Sequence, residues 1–353
     1  MELNKNLVQL GKRVYNNKMM EGTDGKPSDE MVIKELVKKA FNENNTVNDI
    51  QQYRNLNQLI VTTAEDVAKP NIQRTINLVA RYKTVGTNDI MEYDVNDHNF
   101  RVTMALSATG SGVDFTKVPS YKQKIFAMPR KHQFGVKYSI SRMISDPVQE
   151  FKNAVNLVAE EKVKYIMSQI YVVTRQAVTA SKIPAKQILS SAGIMFPDFR
   201  KVESSLLRYG NNVRPVLIAD TAFIGSLAEK QAGVFVTGTT DRPLYLTADL
   251  KESLLRDVTI DQVSKTMCIS IDNPYTDRAN SKVDLPVDEA IMVAGGVNSP
   301  FRVTEFGSMG LLSDDINQHI ETEEAFLKIS YKVDVTLLLN RAVAYLKDTT
   351  VTL

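Results

Sequence analysis

The sequence predicts an α+β chain, on three observations: one very long helix, two strand runs of strict alternation, and a compact stretch of short mixed elements between them. After Asp146 and Pro147 the chain runs to Ala180 without glycine or proline. Along it Val148, Phe151, Val155, Val158, Ile166, Ile170, Val173 and Ala177 recur at helical spacing, with Lys162 interrupting the stripe. Phe134, Val136, Tyr138 and Ile140 alternate with Gly135, Lys137 and Ser139, as do Leu327 to Leu337 with Lys328 to Thr336, which is the period of two of half-buried strands.

Residues 1–70 are polar and discontinuous. A helix is expected from Asp29 to Asn42, capped by Ser28 and carrying Asp29 and Glu30 in its first turn, where the helix dipole favours acids. Its apolar stripe of Met31, Ile33, Leu36, Val37 and Phe41 is narrow and suits a docked arm. From Ile72 to Ser141 the chain reads as extended: Phe100, Val102, Met104 and Leu106 alternate with Arg101, Thr103 and Ala105, and residues 107–117 are rich in flexible types. This is a two-legged excursion with a glycine-containing tip. The helix that follows would be about 50 Å long. Beyond Pro184 the pattern is compact α/β: a helix from Asp198 to Tyr209 ending at Gly210, a strand Val213–Ala219, a helix from Asp220 through Glu229, and strands at Thr266–Ile271 and Ala290–Ala294.

The 353 residues allow two or three packed units, and 43% hydrophobic with 24% charged residues is ordinary globular composition. No stretch approaches the roughly 18–20 apolar residues of a membrane span. Met1 to Tyr15 lack the apolar core of a secretory signal, so the chain is expected to stay where it is made. One cysteine, Cys268, and three scattered histidines, His98, His132 and His319, form neither a disulfide nor a zinc cluster, and a reducing cytoplasm fits best. A net charge of +2 is too small for a dedicated nucleic-acid reader.

Motifs for chemistry are missing. Gly110 and Gly112 lack the third glycine and helix N-terminus of a phosphate cradle, and Gly295-Gly296 reads as a turn. Asp314, Asp315, Glu321, Glu323 and Glu324 lack the alternating spacing and glycine of a calcium loop, so a solvated or partner-facing acidic surface is the better reading. Cys268 sits in an expected strand as a small core residue, and the Asn44 sequon lacks a secretory context. No catalytic, cofactor or metal residue is assigned. One charge feature stands out: Lys122, Lys124, Arg130, Lys131, Lys137 and Arg142 share Tyr121 to Ser145 with no acid. It is either a solvated strand face or a positive leg that docks on acidic surface of a neighbouring copy.

The order of these parts, together with the run Phe-Arg-Val-Thr-Glu-Phe-Gly at 301–307, the acids from Asp314 to Glu324 and the closing strand Asn340 to Asp348, resembles the Hong Kong 97-type major capsid proteins of tailed bacteriophages. The resemblance covers about residues 70–350. It implies an N-terminal arm at 1–71, a first P-domain strand and E-loop at 72–145, a spine helix at 146–181, an A-domain at 182–297 and C-terminal P-domain strands at 298–353. It further implies a shell of hexamers and pentamers around double-stranded DNA, assembled in the host cytoplasm with portal and scaffolding proteins, without enzymatic activity. Gly110, Gly112, Lys117, Lys122, Lys124, Arg130 and Lys131, facing Asp314, Asp315, Glu321, Glu323 and Glu324 of another copy, are then the expected inter-subunit contacts. Lys117 or Lys122 would supply the amine of the lysine–asparagine crosslink that some members form, but no asparagine or assisting glutamate is matched. Alternatives are an encapsulin-type nanocompartment shell, which shares that fold, and a monomeric α/β ligand-binding protein or enzyme.

Overall fold

A computed structural model describes residues 5–22, 27–77, 79–95, 123–236, 262–271, 273–296, 299–312 and 323–353. The first elements are helices: α1 (Lys5–Tyr15), α2 (Asp29–Ala40) and α3 (Ile50–Ile76). Ser28 caps α2 as expected, its hydroxyl accepting from the Met31 N–H. Asp49 accepts from the N–H groups of Gln51 and Gln52 and so starts α3. The polar reading of residues 1–70 needs correction, because Leu10, Val14, Ile33, Val37, Tyr53, Leu56 and Ile60 are buried in one core. The extended reading from Ile72 is corrected too, since α3 continues through Pro70 to Ile76.

The first sheet gathers β1 (Ala80–Val85), β4 (Lys131–Ser139), β10 (Phe301–Phe306), β11 (Gly310–Leu311) and β12 (Glu324–Leu337). The 14-residue β12 is its organising strand. Its first half pairs antiparallel with β4, from Glu324 opposite Ser139 to Lys332 opposite Lys131, and its second half with β10, which in turn pairs parallel with β1. Leu327, Ile329, Tyr331, Val333, Val335 and Leu337 are buried, as the alternation requires. Ile140 departs from the expected strand: Ser139 caps a short helix α4 (Ile140–Ser145) that begins with it.

The long helix is α5 (Pro147–Thr179), 33 residues with Asp146 at its N-cap and Pro147 in its first turn. One side packs on β4 and β12, another on α3. A second unit of six strands runs in the order β5 (Ile188–Ser191), β13 (Val343–Asp348), β9 (Glu289–Val293), β6 (Val216–Ala219), β8 (Thr266–Ser270), β7 (Gln262–Val263). Helices α6 (Phe196–Tyr209) and α7 (Thr221–Val236) bury Phe199, Leu206, Phe223 and Leu227 with that sheet in a separate core. Residues 298–353 are therefore divided between the sheets: β10 to β12 lie in the first, whereas β13 pairs with β5 and β9 in the second.

Candidate assembly surfaces

Two strands stand apart from both sheets. β2 (Met91–Val95) and β3 (Gln123–Ala127) pair antiparallel with each other alone, from Met91 opposite Ala127 to Val95 opposite Gln123. Alternation gives this hairpin two faces. Val95 and Ala127 are buried on the inner one, where the Tyr93 hydroxyl lies 2.7 Å from Thr304 Oγ1. The outer one carries Ile90, Phe126 and Met128, exposed by 64%, 49% and 55%. Three large apolar side chains on one small hairpin form a patch of the kind that marks interaction surface.

Charge at the base of the hairpin is largely matched within the chain. Lys124 pairs with Glu92 across the hairpin, and Lys137 reaches Glu324 at 2.9 Å across the β4–β12 pair. Arg130 lies 3.6 Å from Asp334, whose other oxygen accepts from the Met128 N–H at 3.1 Å. Lys131 and Arg142 are exposed and have no carboxylate partner among the described residues. Glu323 is exposed and takes a positive φ of 53° where β12 begins, its carbonyl accepting from the Ile140 N–H. Gly110, Gly112, Lys117, Lys122, Asp314, Asp315 and Glu321, with the Phe100 to Leu106 alternation, lie outside the described residues.

Next to these strands, tilted rings pair the Tyr165 hydroxyl with His132 Nδ1 at 2.7 Å. Burial is the main cause that holds the His132 pKa below its ordinary value, with Arg130 adding to it, and burial pushes Tyr165 up to about 12.

Sequence reasoning did not find the group under the long helix. Lys162, the residue that broke the apolar stripe, is fully buried and its Nζ lies 2.7 Å from Glu305 Oε1, also fully buried. The Tyr82 hydroxyl donates to Glu305 Oε2, and the Lys162 ammonium sits 4.8 Å from the centroid of the Tyr331 ring. Burial drives Tyr331 well above its ordinary pKa, with the charge of Glu305 adding to it. The signal was present in the sequence: a lone cation within an otherwise apolar helical stripe requires a buried acid. The charges knit α5 to β1, β10 and β12.

The second unit has its own hub. Asp348 accepts from the N–H groups of Gly193 and Ile194, the Thr350 hydroxyl and the Lys230 ammonium at 2.5–2.9 Å. Burial alone would raise its pKa, but these donors prevail and hold it far below the usual carboxylate range. Cys268 is buried in β8, as expected. Gly295 and Gly296 form the expected turn: Gly296 has φ of 70°, and a Cβ on Gly295 would collide with the Arg214 carbonyl. Among the described residues no group of three or more His, Cys, Asp or Glu is placed to hold a metal, and no helix is long and apolar enough to cross a membrane.

The uncovered apolar face of one hairpin, with charge at its base largely paired within the chain, is the feature of this region that bears on function. Residues 6–347 match the family described as "SPbeta prophage-derived putative capsid protein YonB". A relative from Bacillus subtilis (strain 168), "SPbeta prophage-derived uncharacterized protein YonB", is 33% identical over 340 residues, covering 96% of this chain and 95% of its own. The chain belongs to this family. Among solved structures it is similar to the holo-SrpI encapsulin complex of Synechococcus elongatus PCC 7942 (12% identity, 80% of this chain and 89% of that one, TM-score 0.46). It is also similar to the satellite phage P4 procapsid (9%, 82% and 99%, TM-score 0.42) and to a virus-like particle from Pyrococcus furiosus (11%, 80% and 97%, TM-score 0.40).

Proposed function

We propose that this chain is the major capsid protein of a tailed-phage-like particle, a subunit with the Hong Kong 97-type arrangement that assembles into hexamers and pentamers around double-stranded DNA. In this reading the β2–β3 hairpin is the root of the E-loop, α5 the spine helix, the first sheet the P-domain and the six-stranded unit the A-domain. The role is structural and not enzymatic, and the shell is built in the host cytoplasm with separate scaffolding and portal partners. Family membership supports it, and the observation that carries it is the outer hairpin face with Ile90, Phe126 and Met128 uncovered. An isolated two-stranded hairpin is marginal in water, so such a face calls for a second molecule. Interfaces of this obligate kind bury about 2,000–5,000 Å².

The purified chain should form closed shells visible by negative-stain microscopy. Phe126→Glu with Met128→Glu should leave the circular dichroism spectrum unchanged and abolish them. A monomer that persists at high concentration, or normal shells from the double variant, would overturn the reading. Shells recovered from cells with an enzyme cargo in place of DNA would redirect it to a nanocompartment.

A further inference from the structure

A groove of about 840 Å³ lies between α6 and the segment Pro184–Leu189, with Arg341 also in its lining. Its charge is one-sided. Lys186, Lys201, Arg208 and Arg341 line it against a single carboxylate, Asp198, which is already engaged by Lys201 at 2.7 Å. Among the described residues Lys186, Arg208 and Arg341 have no ion pair, in contrast to Lys124, Arg130 and Lys137 at the hairpin base. The Arg341 guanidinium rests 5.8 Å from the centroid of Tyr209, which holds it at the groove wall.

A second observation concerns Gln187. Its Nε2 donates to the Arg341 carbonyl at 2.9 Å, which fixes the orientation of the amide. Its Oε1 is buried in the groove wall without a donor among the described residues. Leaving an acceptor unmatched is costly, and a ligand that brings an N–H removes the cost. Carboxylates to meet the cations and a backbone N–H to meet Gln187 define an acidic polypeptide. A phosphodiester backbone supplies the charge but no donor.

We propose that this groove receives residues 313–322 of a second copy of the chain, an inference that rests on the shell reading. That stretch carries Asp314, Asp315 and Glu321, and no Lys or Arg occurs between Arg302 and Lys328. Its own copy cannot deliver it. It is tethered at both ends in the first sheet, by Leu312, whose N–H donates to the Lys328 carbonyl, and by Glu323, which accepts from Ile140 beside the start of α5. The groove lies past the other end of α5, a helix of 33 residues and therefore about 50 Å long. Ten extended residues reach at most about 36 Å, and these must also return.

The test is fluorescence anisotropy of a labelled peptide of residues 313–322 with the purified full chain, alongside negative-stain imaging of the same samples. The peptide should bind, at least tenfold more weakly to Arg208→Glu/Arg341→Glu and to Lys186→Glu/Lys201→Glu. A peptide with its three acids replaced by amides should bind at least tenfold more weakly to the unaltered chain. Equal binding by the neutral peptide or by both reversed variants overturns the proposal, as does displacement of the peptide by a short DNA duplex at equal charge. Shells that form while the peptide fails leave the shell reading intact and remove this groove from it. Groove-dependent peptide binding by a chain that never forms shells removes the shell reading instead.

Discussion

The charges under α5 and those at the hairpin base are both ion pairs, yet they answer to different solvents. Lys162 and Glu305 are wholly out of water and tie a helix to three strands, whereas the Lys124–Glu92 pair is about half exposed on a two-stranded ribbon. A buried pair must be complete within the molecule, because a lone charge left there is strongly unfavourable. An exposed pair contributes little and is screened by salt, so its ions remain free to choose a new partner. The interior charge thus holds one helix to its strands, and the exterior charge stays open to exchange with solvent ions.

Removing one half of the interior pair should have the largest effect. Glu305→Gln or Lys162→Met is expected to cost about 3–5 kcal/mol, read as a lowered denaturant midpoint, while Lys162→Met with Glu305→Leu should recover most of the loss. If the single variants unfold like the unaltered chain, the pair has no such role. Asp348 comes next. Asp348→Asn should cost about 2–3 kcal/mol at neutral pH. Its folded pKa lies below its unfolded value of about 3.9, so its contribution is complete above that pH and is lost as acid carries the solution down through the folded value. Urea unfolding of the Asn variant should accordingly lose part of its pH dependence below about pH 5. The smallest effect belongs to the ribbon: Lys124→Ala and Lys137→Ala should each leave the denaturant midpoint almost unchanged, and wholly unchanged in high salt. A large loss from either would erase the contrast between the two regions.

Where neighbours in sequence decide the structure, the sequence was legible. Ser28 and Asp146 mark their helices, the run without glycine or proline after Pro147 is α5, and the alternation from Leu327 to Leu337 is β12. The α3 helix escaped because its buried face mixes Tyr53, Leu56 and Ile60 with Asn57, Thr63 and Glu65, and because Pro70 resembles a stop. Asn57 is matched there by the Tyr138 hydroxyl, far along the chain, which donates to it. Asp334 looked like a wet residue of β12, but Arg130 and the Met128 N–H draw it inside. At the hairpin the basic residues were visible, while their carboxylate partners depend on the β2–β3 and β4–β12 registers, which no local pattern specifies.

The position of β13 sets a clock on synthesis. Tyr345 lies between Ile188 on one side and Ile291 on the other, so the six-stranded sheet stays split until the residues of β13, more than 150 positions after β5, have been made. Such distant pairing closes slowly, and until it does β5 has no strand beside it. The six-stranded unit therefore takes its finished outline only when β13 slides in between two strands already made.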